Sequence, residues 1–235
     1  HFTFLGYREY KLVHEPGPDG AASLRPVIGT GLGILRQDHP EPQTLPNLNA
    51  EAYQRLLEKR LLILTKANQR ATVHRSAYLD YIGFKVFDDF GNVIGERRFL
   101  GLFSSAAYRS SVCELPVVRR KVAEVLDRSG LSPRSHSGRK LMEILESYPR
   151  DELFQIRTED LYHTAMGVLR MAGRRQLRIF VRKDAYAGFF SCLIYLPRDR
   201  FNTQNRLRMQ EILLRALHGI GGDYTTRVTE STLAR

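Results

Sequence analysis

The sequence predicts an α+β chain: a curved five-stranded antiparallel sheet, a helical connector, and a small βαββαβ module. Three observations carry this expectation. Residues 2–103 alternate apolar and polar side chains in five runs with one short helical insertion. Residues 116–147 recur at helical spacing, and residues 152–230 change period in the order strand, helix, strand, strand, helix, strand. The 235 residues are long for one domain and comfortable for two, and the expected boundaries are 1–108, 109–150 and 151–235.

Residues 2–13 read as a strand, and 14–23, rich in Pro, Gly and Asp, as a loop. A second, glycine-rich strand is expected over 25–36. The proline-rich stretch 37–48 then leads to a short helix over 49–59, with Tyr53, Leu56 and Leu57 facing inward. Strands follow at 61–66, 72–87 and 93–103, and Asp88, Asp89, Gly91 and Asn92 supply the turn between the last two. Five strands with one helical insertion are PAS-like, an analogy of layout with sensor domains of the Per-Arnt-Sim kind.

In the connector, Pro116 opens a helix whose apolar side is Val118, Val122, Val125 and Leu126, and Gly130 stops it. A second helix over 138–147 presents Leu141, Ile144 and Leu145 before Pro149. The last module begins with a short apolar strand over 153–156. Thr158 is placed to cap a helix whose first turn carries Glu159 and Asp160 and whose buried stripe is Leu161, Ala165, Val168, Leu169 and Ala172. Leu177, Ile179 and Val181 alternate with Arg178, Phe180 and Arg182 in a strand, and 189–196 forms the return strand. Asn202 or Thr203 caps a helix with Met209, Ile212, Leu213, Ala216 and Leu217 inward, and residues 223–229 pair at an edge. This is the layout of a ferredoxin-like fold, two helices on one side of a four-stranded sheet.

Composition narrows the classes. A chain of this size buries roughly 70–75% of its unfolded surface without disulfides. Cys113 and Cys192 lie far apart and match no metal spacing, so reduced cytoplasmic thiols are expected. No apolar run approaches the ~20 residues that span a membrane, and no charged-then-apolar leader is present. The sequence starts at His1, within a strand by its pattern, and reads as a piece of something larger. The net charge of +11 raises nucleic acid as a partner, but the cations come in scattered groups, among them Arg97 and Arg98, Arg119 to Lys121, and Arg174 and Arg175. Solvated helix faces account for such groups.

Candidate chemistry is sparse. Gly29, Gly31 and Gly33 do not open a helix after a strand, as a dinucleotide fingerprint requires, so they are read as easing strand curvature. None of the seven histidines pairs with another at ligand spacing, and Ser135, His136 and Ser137 sit in a polar turn without a strained elbow. The paired acids Asp151 and Glu152, and Glu159 and Asp160, are explained by the helix dipole. Arg178, Phe180, Arg182, Tyr186, Phe189 and Phe190 fit the broad recipe for stacking bases on a sheet, the basis of an alternative reading as a basic RNA-binding protein. The aromatic octamer of that recipe is absent, which favours core packing.

Several strings in order resemble one family: FTFLGYREY at 2–10, GTGLGILR at 29–36, LTKANQRATVHRSAYLDYIGFK at 64–85, GERRFLGLFSSAAY at 95–108, YPRDELFQI at 148–156 and FFSCLIYLPRDRFNT at 189–203. Together they resemble the N-terminal regulatory region of the large bacterial NAD-dependent glutamate dehydrogenases. The resemblance implies a cytoplasmic, homo-oligomeric parent enzyme that oxidises L-glutamate with NAD. It implies that the 151–235 module is ACT-type, and that the catalytic and NAD-binding residues lie in a downstream catalytic domain. This segment is then expected to be inactive, to bind no cofactor or metal, and to contact other copies of itself, the catalytic domain and an amino-acid effector, with neither nucleic acid nor membrane as a partner. Amino-acid-binding ACT modules carry a glycine after their first strand; here Arg157, Thr158 and Glu159 stand there. These three, with Arg182 and Asp184 on the next hairpin, are the candidate effector or interface residues, and Arg157 suits a carboxylate.

Overall fold

The computed structural model describes residues 1–14, 22–36, 57–171, 174, 176–184, 186, 188–227 and 233–234. It divides into two compact units, His1–Ser110 with Ala185–Gly188, and Ser111–Asp184 with Phe189–Arg235.

The first unit is a mixed α/β body built on one antiparallel sheet. Its strands are β1 (Phe2–His14), β2 (Ala22–Pro26), the two-residue β3 (Leu32–Gly33), β4 (Leu62–Arg70), β5 (Tyr78–Phe87) and β6 (Val93–Phe103), followed by a short helix α1 (Ser105–Arg109). Five strands run in the order β2-β1-β6-β5-β4, and β3 pairs separately with β1. Cross-strand neighbours share a face, so the register places Arg8 and Tyr10 beside Arg98 and Glu96, and these beside Gly83 and Lys85. That face is buried. Several of its polar groups meet one another: the Arg98 guanidinium lies 4.0 Å from the Tyr10 ring centroid and donates to the Tyr81 hydroxyl at 3.0 Å, while Tyr81 donates to Glu96. Burial, with the Glu96 charge adding, holds the Tyr81 hydroxyl well above its ordinary range.

On the opposite face Phe99 is the hub of an aromatic group, 4.8 Å from Tyr7, 5.8 Å from Phe84 and 6.4 Å from Phe4 by ring centroids. The β5–β6 turn forms as its residues demand. The Asp88 carboxylate accepts from the backbone N–H groups of Phe90 and Asn92 at 3.0 and 2.7 Å, and Gly91 takes φ 76°.

Three strands of this unit differ from expectation, one of them β4, which runs on to Arg70 rather than ending at residue 66. The run over 25–36 is broken, because β2 ends at Pro26 and a turn with Gly29 at φ 81° intervenes before β3. Gly33, at φ 58°, approaches β1 so closely that a Cβ there would lie 2.0 Å from the Leu5 carbonyl oxygen. Strand β5 begins at Tyr78 rather than residue 72; 72–77 is a bent connection in which His74 adopts φ 64°. The helix expected over 49–59 falls, up to residue 56, outside the described residues.

The second unit holds α2 (Val118–Ser129), α3 (His136–Ser147), α4 (Arg150–Gln155), α5 (Thr158–Leu169), β7 (Arg178–Lys183), β8 (Phe190–Pro197), a 3-10 turn (Arg198–Arg200), α6 (Thr203–Ala216) and β9 (Leu233–Ala234). Val118, Val125, Leu141, Leu145, Leu153, Leu161 and Ala165 are fully buried, so the stripes of α2 to α5 meet in one core. Burial of each such Val or Leu stabilises by roughly 1.5–3 kcal/mol. The helix ends follow their sequence signals: Gly130 closes α2 at φ 64°, the Ser135 hydroxyl accepts from Gly138 N–H at 3.0 Å, and Asn202 accepts from Asn205 N–H at 2.7 Å. Ahead of α2, Val117 sits at φ 68° and ψ −53° in a tight γ-turn closed by Val118 N–H donating to the Pro116 carbonyl at 2.8 Å.

The βαββαβ expectation is corrected at both ends. The run over 153–156 is not a strand: Leu153 and Phe154 are buried on α4, and Ile156 follows its end. A four-residue apolar run does not distinguish a buried strand from a buried helix, and here Pro149 ahead of Asp151 and Glu152 favours the helix. Thr158 does not cap α5; Arg157 occupies the cap position, with no side-chain bond. Residues 223–227 pair with no strand, and the described sheet is β7-β8-β9 rather than four-stranded. Helix α6, expected to bury Met209, Ile212, Leu213, Ala216 and Leu217, buries none of its residues.

Candidate functional site

The second unit concentrates its buried charge where α4 meets the end of β7. Alternation along β7 turns Arg178, Phe180 and Arg182 to one face, and Phe180 packs within reach of Gly167 on α5. The Arg182 guanidinium donates from Nε to one Glu152 carboxylate oxygen at 2.5 Å and from a terminal nitrogen to the other at 3.0 Å. It also reaches Asp184 Oδ1 at 3.3 Å and the Gln155 amide oxygen at 3.4 Å. The Glu152 and Asp184 side chains are only 7% and 3% exposed, so this two-pronged pair operates away from solvent. Around it, burial raises the Tyr148 hydroxyl and the Cys192 thiol above their ordinary ranges, and the Glu152 charge adds to both.

A second buried cation holds the other end of α4. Lys121 Nζ, on α2, donates to the carbonyl oxygens of Leu153, Phe154 and Ile156 at 2.9, 3.0 and 2.7 Å. These are carbonyls that a helix end leaves without partners, and the ammonium also meets the negative end of the helix dipole. Within the Arg119 to Lys121 triplet, only Arg119 and Arg120 are solvated; Lys121 is buried.

The five expected residues therefore separate into two groups. Arg182 and Asp184 come together, engaged with Glu152. At the start of α5, Glu159 accepts a two-pronged bond from Arg128 of α2 and pairs with His163 at 2.6 Å, while Arg157 is exposed and Thr158 half-buried. Sequence reading missed Glu152, Gln155 and Lys121 as partners. The Arg128 contact comes first, with His163 adding, in pulling the Glu159 carboxyl down from 4.5 to about 2. Because its folded value lies below the ordinary one, the contact adds stability that is complete above about pH 4.5 and is lost as the pH falls toward 2. Both partners face solvent, so the effect is small. We expect the urea midpoints of the wild type and Arg128→Gln to differ most above pH 4.5 and to converge as the pH approaches 2; a constant gap would show that Arg128 acts only through the Tyr162 ring, 4.4 Å away.

The other sequence candidates have structural partners. The Ser135 hydroxyl donates to the Ser132 carbonyl at 2.6 Å while capping α3, which occupies the group a nucleophile would need. Gly29 and Gly33 lie in the turn and short strand beside β1. Phe180 makes an edge contact with Tyr195 at 6.0 Å and packs on Gly167, rather than lying free as a stacking platform. Among the described residues no group of three or more His, Cys, Asp or Glu side chains could hold a metal ion, and no helix is long and apolar enough to cross a membrane.

Comparison with known proteins shows what this sequence is similar to. Residues 115–174 match the family model "Glutamate dehydrogenase, helical motif 1", and residues 178–235 match "Glutamate dehydrogenase, ACT2 domain". The whole chain is 42% identical to the NAD-specific glutamate dehydrogenase of Halomonas elongata, 40% to that of Pseudomonas aeruginosa and 37% to that of Mycobacterium tuberculosis. It spans only 13–14% of the length of these relatives. No solved structure matches.

Proposed function

We infer that this chain, which belongs to the NAD-specific glutamate dehydrogenase family, is a non-catalytic regulatory and assembly segment of such an enzyme. The parent reaction is oxidation of L-glutamate by NAD and water to 2-oxoglutarate, ammonia and NADH, carried out in the cytoplasm by residues outside this segment. The observation that carries the reading is the meeting of the two family matches at one buried contact: Glu152 belongs to the helical motif and Arg182 to the ACT2 region. A shift of the β7 hairpin is thereby felt by the helices, as a regulatory module requires. In this reading the first 108 residues form a PAS-like domain, the helical-motif match over 115–174 the connector, and the ACT2 match over 178–235 the ACT-type module.

The candidate residues divide by availability. Arg157, exposed at the start of α5 beside Thr158, is offered as the contact for the carboxylate of an amino-acid effector, whereas Arg182, Asp184 and Glu159 hold elements together. Self-association runs through the second unit, and coupling to the distant active site is worth about 1–3 kcal/mol. The test compares the full-length enzyme with a version lacking this segment. The isolated segment is expected to form no NADH from glutamate and NAD, and its loss to change the subunit count by light scattering and the response of the enzyme to amino acids. Turnover by the segment alone, or a truncated enzyme with unaltered mass and kinetics, would refute the reading.

A further inference from the structure

We propose that the groove along α2 between Cys113 and Leu126 binds an amphiphilic carboxylate, a small acid with an apolar tail, whose head is held by Arg119 and Arg120. On α2, Arg119, Val122, Ala123 and Leu126 stand at i, i+3, i+4 and i+7, so they share one side of the helix. Cys113, in the loop ahead of the helix, forms the facing wall, and Arg120 completes the lining. The groove holds about 390 Å³, within the range of small-molecule sites, and its lining is largely apolar. Ala123, with a single methyl group, keeps its middle open.

Charge selects the occupant. Among the described residues the Arg119 and Arg120 side chains make no hydrogen bond or ion pair, whereas Arg128 on the same helix is engaged by Glu159. The acids of α2, Glu124 and Asp127, do not line the groove, which therefore sets two available guanidinium groups beside an apolar floor. A carboxylate gives a guanidinium a two-pronged partner, and an alkyl tail covers Val122 and Leu126. An amino acid lacks that tail and brings an ammonium group to the two arginines, so this site differs in chemistry from the one offered at Arg157. The facing wall is set before anything binds. The Glu146 carboxylate accepts from the Ser111 hydroxyl and from the Val112 backbone N–H, at 3.2 Å in the second case, and the γ-turn at Val117 joins this loop to α2. A β-branched residue at φ 68° is costly, and such backbone persists where its surroundings hold it, often beside ligand clamps. A preset wall leaves less to be ordered on binding.

The experiment uses the 235-residue chain, with decanoate below its micellar range as the probe. Calorimetry is expected to show one decanoate per chain for the wild type. Binding is expected to weaken about tenfold or more in Arg119→Gln with Arg120→Gln, and as much in Ala123→Trp, which fills the groove. All three positions are exposed, so these variants are expected to melt with the wild type. Decanoate is further expected to slow alkylation of Cys113 by iodoacetamide several-fold, followed on its own peptide by mass spectrometry, and not to slow it in the double arginine variant. Decanol binding as tightly as decanoate would overturn the arginines as the head site, and undiminished binding to Ala123→Trp would overturn the groove. Glutamate protecting Cys113 as well as decanoate does would overturn the requirement for a tail. A wild-type dimer that Ala123→Trp splits into monomers would assign the groove to a second copy instead. No binding to the wild type would end this proposal while leaving the regulatory reading standing, since that reading is decided by removing the segment from the full-length enzyme.

Discussion

Replacing Arg182 by Ala is expected to destabilise the second unit by about 3–5 kcal/mol, because Glu152 and Asp184 are left as buried carboxylates with their common guanidinium gone. For a body of this size that corresponds to a fall in melting temperature of about 10 °C or more. The loss belongs to the stranded charge rather than to the pair, since removing both charges from such a site is often nearly neutral. The double variant Glu152→Gln with Arg182→Met is therefore expected to recover most of the stability, and thermal melts of the two variants beside the wild type decide the matter. If Arg182→Ala melts within about 1 kcal/mol of the wild type, a margin ordinary for surface changes, the buried pair is not what ties the hairpin to the helices.

Lys121→Met is expected to cost about 3 kcal/mol. The methionine retains an apolar stem of similar length, so packing is little changed, but three buried carbonyls at the end of α4 lose their donor. Each such hydrogen bond is worth about 1 kcal/mol, and its loss is felt in full when no water can replace it. Urea unfolding followed by helical circular dichroism measures the change. An unaltered midpoint would mean that water satisfies the carbonyls, and that the lysine is carried there for another reason.

Strands β1 and β6, the Asp88 turn and helices α2 and α3 were legible because each has its own local signal: a sustained period, a capping residue, or a glycine where a left-handed stop is required. Helix α4 was not, since Leu153 to Ile156 is too short to express a period. Arg182 could be placed on a strand face, but its partner Glu152 stands thirty residues earlier and resembles any acid in the first turn of a helix. Lys121 was hidden differently. It follows two solvated arginines, and only the three-dimensional arrangement of α2 over the end of α4 separates it from them. Charge pairing across such separations depends on tertiary packing, which local pattern does not encode.

Helix α6 has a consequence of its own. Fourteen residues long, it relies on the Asn202 cap, on side-chain pairs such as Arg215 with Glu211 at 2.8 Å, and on a stripe through Met209 and Leu213 that is only half-buried. A helix of that length is marginal when it must stand on local interactions. Its amides should thus be among the first in the second unit to trade protons with water, and whatever docks against Leu207 and Ile212 would be rewarded less for gripping a rigid rod than for ordering a fraying one.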